Sequence, residues 1–268
     1  MNLIGVIPAR MGSSRFPGKP LALLRGMPML GHVYFRSAMC RSLSSVVIAT
    51  CDEAIAAYAR RIGAPCVMTS PAHERASDRT AEAVTILERQ SGQQIDCVVM
   101  IQGDEPMLTP EMIEEAVAPL LADASIQVVN LMAVVTNPDD QADPNEIKVV
   151  VAQSGDALYF SRQPMPSQTR GGAPMYKQVC IIPFRRAFLQ RFNTLSATPL
   201  ERAESIDMLR ILEHGYRVRM VLTRQETHSV DTPSDLAFVE TRLAGDGLLA
   251  QYAGMRGALG HPAGRGTA

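Results

Sequence analysis

The chain has 268 residues, 46% of them apolar and 20% charged, a balance that excludes an intrinsically disordered protein and permits a full hydrophobic core. A formal net charge of −1 excludes general binding to nucleic acid or to anionic membrane, which needs a basic surface, so any cationic site must be local. The five cysteines, Cys40, Cys51, Cys66, Cys97 and Cys180, are odd in number, widely spaced and without a CxxC pair, which predicts reduced thiols in a cytoplasmic protein and no structural zinc. No run of 18 apolar residues and no signal-peptide pattern is present, so the expectation is a soluble chain.

In chain order, nearly continuous apolar runs at residues 3–7, 45–50, 65–69 and 97–101 read as strands covered on both faces. Helical patterns at 29–41, 53–62, 78–90 and 110–121 alternate with them, and Pro28 and Pro110 suit first helical turns. This alternation predicts an α/β protein with a Rossmann-like, doubly wound, mostly parallel sheet. Beyond residue 127 the texture becomes Val-rich, with strands at 128–136, 147–153, 157–161 and 178–183 that predict a small antiparallel arm or subdomain over 127–185. Residues 163–173 read as a flexible loop, 199–214 as a helix, 218–222 as a strand and 233–243 as a last helix. The segment 244–268 follows, and its Gly, Ala and Pro-rich end, 254–268, reads as disordered.

The loop after the first strand, Ala9-Arg10-Met11-Gly12-Ser13-Ser14-Arg15-Phe16-Pro17-Gly18-Lys19-Pro20, lies at the sheet edge where doubly wound folds bind ligands. Arg10, Arg15 and Lys19, with glycines and serines between them, suit a polyphosphate. The bland alternative is a solvated basic loop. Five residues separate Gly12 from Gly18, and Pro20 stands where a Walker A loop has Ser or Thr, so an ATPase of that class is excluded. Asp104 follows the strand 97–101 and should reach the same edge, where a carboxylate can hold Mg²⁺ shared with substrate phosphates. Its alternative is a plain turn residue in Gly-Asp-Glu-Pro. Glu105 should point elsewhere on an extended strand end and is not taken as a ligand.

Four ordered motifs are Ile7-Pro8-Ala9-Arg10 with Arg15-Phe16-Pro17-Gly18-Lys19-Pro20-Leu21, Gln102-Gly103-Asp104-Glu105-Pro106, Ala157-Leu158-Tyr159-Phe160-Ser161-Arg162, and Val230-Asp231-Thr232-Pro233. Together they make the chain, over residues 1–243, similar to the 3-deoxy-manno-octulosonate cytidylyltransferase (CMP-Kdo synthetase) family. The resemblance implies one nucleotidyltransferase domain over 1–243 and a Mg²⁺-dependent transfer of CMP from CTP to a small acidic acceptor, with release of pyrophosphate. It makes Asp231 the second Mg²⁺ ligand beside Asp104, although Thr232-Pro233-Ser234-Asp235 is also a good helix start. It implies Arg15 and Lys19 at the leaving pyrophosphate, and Ala9, Arg10, Gly12, Ser13, Ser77, Arg79 and Gln102 around the nucleotide. Arg75, Lys148, Arg162, Gln178, Glu204, Asp207 and Arg210 are expected toward the acceptor, and a homodimer through residues around 149–184. For Arg79 and Arg162 the alternative is an ordinary salt bridge.

The departures from the family cluster on the acceptor side. The segment His-x-Ser-Gly-Thr-Asp/Glu-Arg appears as His73-Glu74-Arg75-Ala76-Ser77-Asp78-Arg79, and His-x-Gly-x-Tyr-x-Tyr becomes Gln178-Val179-Cys180-Ile181-Ile182-Pro183-Phe184. Likewise Glu-Gln-Leu-Arg reads Asp207-Met208-Leu209-Arg210. These departures argue against Kdo itself, and the added Arg75 with the reduced polar set fits a modified, Kdo-like ulosonate or a small phosphonate such as phosphonoformate; the alternative for Arg75 is a solvated surface change. The competing functions are transfer of UMP or another nucleoside monophosphate to a sugar, and a nucleotide-binding module without catalysis.

Overall fold

Strand β1 (Leu3–Ala9) is buried along its whole length because it occupies the centre of a five-stranded sheet in a computed structural model that describes residues 1–12 and 15–253. Its neighbours are β4 (Ser45–Thr50) and β6 (Cys97–Ile101), both parallel to it. Strand β5 (Cys66–Met68) extends the sheet in parallel beyond β4, and β11 (Ile181–Arg185) closes the other edge antiparallel to β6. The sheet is thus mostly parallel, as the apolar runs predict. Alternate residues feed two cores: Leu3, Ile7 and Ala9 pack with α1 (Met29–Ala38), α2 (Glu53–Arg61) and α4 (Pro110–Ala122). Ile4 and Val6 pack with α3 (Ala76–Ser91) and α6 (Arg186–Thr194). Helix α4 starts as its sequence dictates, with Thr109 as the N-cap accepting the Met112 N–H and Pro110 at the first position.

A second five-stranded sheet has the order β12 (Arg219–Leu222), β7 (Val129–Val134), β10 (Tyr176–Val179), β8 (Lys148–Val151), β9 (Ala157–Ser161). All its pairings are antiparallel except β12 with β7. The short helix α5 (Pro138–Ala142) lies between β7 and β8. Where the sequence predicts one strand at 178–183, the chain instead leaves the second sheet at Val179 and enters the first at Ile181. Cys180 forms the joint: its carbonyl accepts the Gln102 N–H at 3.0 Å and its N–H donates to Glu105 Oε1 at 3.3 Å. Apolar residues on both sides of Cys180 conceal the break.

The predicted helix 199–214 is two helices, α7 (Pro199–Glu204) and α8 (Met208–Glu213), separated at Ser205, whose φ of 55° lies in the left-handed region. Tertiary bonding overrides helix propensity there, because the Glu204 carbonyl accepts Arg162 Nε at 2.7 Å. Besides α5, further elements are absent from the sequence reading. Helix α6 has Phe188, Leu189 and Phe192 on its buried face. A hairpin of β2 (Leu23–Leu24) and β3 (Met27–Pro28) turns on Arg25 and Gly26, both with positive φ, and draws Pro28 out of α1 to its N-cap. Past α9 (Pro233–Leu243), α10 (Gly247–Ala253) packs on α1 through the buried Tyr252, whose hydroxyl lies 2.8 Å from His32 Nδ1 and accepts from Arg36 Nε at 2.9 Å. The expected disorder of 254–268 falls outside the described residues. No described helix is long and apolar enough to cross a membrane.

Helices α3 and α6 are joined by Glu88, which accepts Arg186 Nη2 at 2.7 Å and the Ile95 N–H at 3.1 Å. Burial alone would raise this carboxyl's pKa, but the Arg186 guanidinium and the Ile95 N–H outweigh it and hold it below the usual glutamate range. Its contribution is therefore present above the unfolded-state value of about 4.3 and is lost as pH falls through the lower folded value. Glu88→Gln is expected to cost about 1–2 kcal/mol at neutral pH, read from urea midpoints, with the gap to wild type closing in acid. A gap of constant size down to about pH 3 would refute this.

Candidate active site

The loop that leaves β1 is closed on itself by Gly18, whose N–H donates to the Met11 carbonyl at 3.1 Å and whose φ of 74° favours glycine. Asp52, at the end of β4, holds the loop from below by accepting the Met11 N–H at 2.8 Å. Lys19 follows in a 3-10 turn (Lys19–Leu21) and points back across the sheet edge. Its Nζ donates to Asp104 Oδ2 at 2.9 Å and to Asp231 Oδ1 at 3.2 Å. Arg15 Nη2 lies 3.0 Å from the same Asp231 oxygen, and Arg15 Nη1 donates to Asn145 Oδ1.

These four charged side chains come from three segments far apart in sequence, and the backbone joins two of them. Val230 N–H donates to the Asp104 carbonyl at 2.9 Å, which sets Asp231 beside Asp104. Asp235 fixes the Asp231 segment by accepting the N–H groups of Asp231 and Thr232 at 3.0 and 2.7 Å, while Thr232 caps α9. The helix start and the carboxylate at residue 231 are thus neighbouring features of one segment. Burial alone would depress the Lys19 ammonium, but Asp104 and Asp231 outweigh it and hold its pKa above the usual lysine value.

Two cavities meet at this cluster. The first, about 290 Å³, is lined by Ala9, Arg10, Gly12, Lys19, His73, Arg79 and Gln102 among others. A Cβ built at Gly12 would meet no atom within 4 Å, so this backbone faces open space. Arg79 is 3% exposed and is held by Thr69 Oγ1 and by the Ser70 and His73 carbonyls. The second cavity, about 250 Å³, is lined by Asn145, Glu146, Arg162, Gln178, Asp207 and Asp231 among others. Arg15, Arg75, Gln102 and Asp104 line both.

Of the residues expected at the nucleotide, Ala9, Arg10, Gly12, Arg79 and Gln102 line the first cavity, and Ser13 falls outside the described residues. Ser77 is fully buried and does not line it; its hydroxyl donates to Asp207 Oδ2 at 3.0 Å. Of those expected at the acceptor, Arg75, Arg162, Gln178 and Asp207 line the second cavity. Lys148, Glu204 and Arg210 stand behind the wall. Lys148 Nζ donates to the Asp143 carbonyl, Glu204 accepts Ser161 Oγ at 2.8 Å and the Arg162 N–H at 2.9 Å, and Arg210 forks onto the buried Glu201. Their charges orient the lining from behind, which residue type and spacing do not reveal.

Glu105, set aside on sequence grounds, is 3% exposed in the wall of the second cavity. Its carboxylate accepts Thr227 Oγ1 at 2.9 Å and the Cys180 N–H, tying the Asp104 turn to the strand joint and to the segment before Asp231. Burial, with the Asp104 charge second, raises its pKa to about 7. Asn145, Glu146, Cys180 and Ser229 are further lining residues that the sequence reading misses, and none carries a local motif.

Two carboxylates that converge on one cationic point fit a hard divalent cation shared with phosphate oxygens, as Mg²⁺ is usually bound. Among the described residues no group of three or more His, Cys, Asp or Glu side chains could hold a metal, so Asp104 and Asp231 would supply only part of a ligand set.

The sequence pattern of the family described as cytidylyltransferase matches residues 4–226. A 3-deoxy-manno-octulosonate cytidylyltransferase of Geobacter metallireducens is 43% identical over 91% of this chain and 98% of its own. The protein of that name from Oleidesulfovibrio alaskensis is 45% identical over 87% and 92%. Among solved structures, a CMP:2-keto-3-deoxy-manno-octonic acid synthetase complexed with CTP superposes with a TM-score of 0.82, at 34% identity over 91% of this chain and 99% of that one. With this agreement across nearly its whole length, the chain belongs to the 3-deoxy-manno-octulosonate cytidylyltransferase family of cytidylyltransferases.

Proposed function

We propose that the chain transfers CMP from CTP to a small acidic acceptor, a Kdo-like ulosonate or a small phosphonate such as phosphonoformate, and releases pyrophosphate. The observation that carries this reading is the meeting of two cavities at Lys19, Arg15, Asp104 and Asp231, one for each substrate with the charged cluster between them. The relative solved with CTP supports the choice of nucleotide. In the reaction an acceptor oxygen attacks the α-phosphorus; the new P–O bond forms as the α–β bridging bond breaks, and the electron pair leaves with pyrophosphate.

The first cavity holds the nucleoside between Ala9, Arg79 and Gln102 and directs the triphosphate to the loop. As the phosphates arrive, Lys19 exchanges carboxylate oxygens for phosphate oxygens and, with Arg15, offsets the charge growing on the leaving group. That exchange frees Asp104 and Asp231, which would hold Mg²⁺. When bound, the ion would withdraw electron density from the α-phosphate and neutralise charge. Holding the acceptor in the second cavity fixes the line of attack and removes much of the entropic barrier. The same reading treats residues 1–243 as one catalytic unit and takes the edge strand β9, with Leu158 63% exposed, into a homodimer contact.

Incubation with CTP or UTP, Mg²⁺ and a panel of ulosonates and phosphonates, with product masses recorded, should yield a CMP adduct and pyrophosphate. A uridylyl adduct as the main product would overturn the donor assignment. Asp104→Ala and Asp231→Ala should each lower kcat/KM by at least about 10³-fold with the circular dichroism spectrum unchanged; wild-type rates in either would remove the metal reading. Lys19→Met leaves Asp104 and Asp231 without their shared ammonium. Without nucleotide, Mg²⁺ should therefore raise its thermal midpoint more than it raises that of wild type. An equal or smaller rise would contradict a shared cation position.

A further inference from the structure

Arg75 occupies the border between the two cavities. It is the N-cap of α3, with extended backbone and no side-chain capping bond, so its guanidinium has no duty to the helix. The side chain is 28% exposed, and its carboxylate neighbour is Glu201, with Nη2 to Oε1 at 3.5 Å. That carboxylate is fully buried and already occupied. Arg210 Nε donates to Oε2 at 2.8 Å, Arg210 Nη2 donates to Oε1, and the Thr198 N–H adds a third bond at 3.3 Å. Glu201 and the buried Asp207 both lie within electrostatic reach of the two guanidiniums, but the hydrogen bonds of Glu201 go to Arg210 and not to Arg75. Among the described residues the Arg75 guanidinium donates no hydrogen bond, whereas mostly buried donors are normally satisfied.

Arg162 joins Arg15 and Arg75 as a third cation of the second cavity. Its guanidinium bonds go to main-chain carbonyls, of Glu204 and Pro144 at 2.7 Å and of Ser205 at 3.5 Å, so its position is fixed without neutralising its charge. The carboxylates of this wall are engaged: Glu146 with Lys177 at 2.9 Å, Asp104 and Asp231 with Lys19, and Asp207 with the Ser77 hydroxyl. Glu74 is exposed to solvent. Ile147 and Ile206 in the lining are apolar, the Gln178 amide donates to Asn130 Oδ1 and Asn145 Oδ1 accepts from Arg15, so the uncharged polar lining for a row of hydroxyl groups is small, chiefly Ser205 and Ser229.

We propose that Arg75 selects the acceptor by docking a second anionic group, so that the site prefers compact acids bearing two such groups, a phosphonate beside a carboxylate, over a polyhydroxylated acid with one carboxylate. This rests on the reading that the second cavity holds the acceptor of CMP transfer. One anionic group supplies the attacking oxygen and the other sits on the open fork of Arg75, a match of planar donors to anionic oxygens that a neutral hydroxyl does not make.

The test is steady-state kinetics of wild type, Arg75→Gln and Arg75→Lys with phosphonoformate and with 3-deoxy-manno-octulosonate, varying CTP and acceptor separately and weighing the CMP adducts. Wild type should favour phosphonoformate. Arg75→Gln should lose about 10–100-fold more kcat/KM on phosphonoformate than on the octulosonate, through the acceptor KM, and Arg75→Lys should recover part of the loss. Equal losses on both acceptors, or a loss confined to the KM for CTP, would overturn the proposal while leaving the transferase intact. If wild type forms neither adduct, the transferase reading is what fails. Calorimetric titration of phosphonoformate into both proteins with CTP present then decides the role of Arg75. Weaker binding by Arg75→Gln sustains it, and equal affinity overturns it.

Discussion

The site depends on one ion cluster: an ammonium, Lys19, held between Asp104 and Asp231, residues 85 and 212 positions further along the chain. The three side chains are only 12–22% exposed, so none is fully stabilised by water and each relies on the others. The loop after β1, the turn after β6 and the start of α9 are thereby drawn to one edge of the first sheet. Arg15 adds a second cation at Asp231, which balances two carboxylates against two bases. Such a balanced cluster can open without leaving an uncompensated charge once anionic phosphates bring their own counter-ion.

A layer of bonds behind the cluster keeps those segments in register. Glu105 bonds the Cys180 N–H and Thr227 Oγ1, and Val230 bonds the Asp104 carbonyl, so the turn after β6 is stitched both to the joint between the sheets and to the segment before α9. The joint matters because the first sheet supplies the wall of the first cavity and the second supplies Glu146, Arg162 and Gln178, or the loops that carry them, to the other. A protein whose two sheets share this seam places two cavities on either side of one charged boundary.

Much of this was legible in the sequence because it is encoded locally. The strands β1, β4 and β6 are continuous apolar runs, and the loop rich in Arg, Gly and Lys follows the first of them, so sheet-edge geometry alone places Lys19 near Asp104. Asp231 has no such local logic, since its own segment reads equally well as a helix cap; family resemblance rather than spacing singles it out. The features that escape the sequence are those decided by distant partners. Ser205 breaks a helix because Arg162 takes the Glu204 carbonyl, and Cys180 divides two strands because Gln102 and Glu105 bond its backbone. Lys148, Glu204 and Arg210 have the charges expected of ligand groups, yet buried protein partners consume them.

The most direct measurement is a crystal structure of the protein with CTP and Mn²⁺, the metal located by its anomalous scattering. The account predicts an anomalous peak touching both Asp104 and Asp231, with Lys19 moved from the carboxylates onto a phosphate oxygen. A peak remote from that pair, with Lys19 still bridging the two aspartates beside a bound nucleotide, would contradict it.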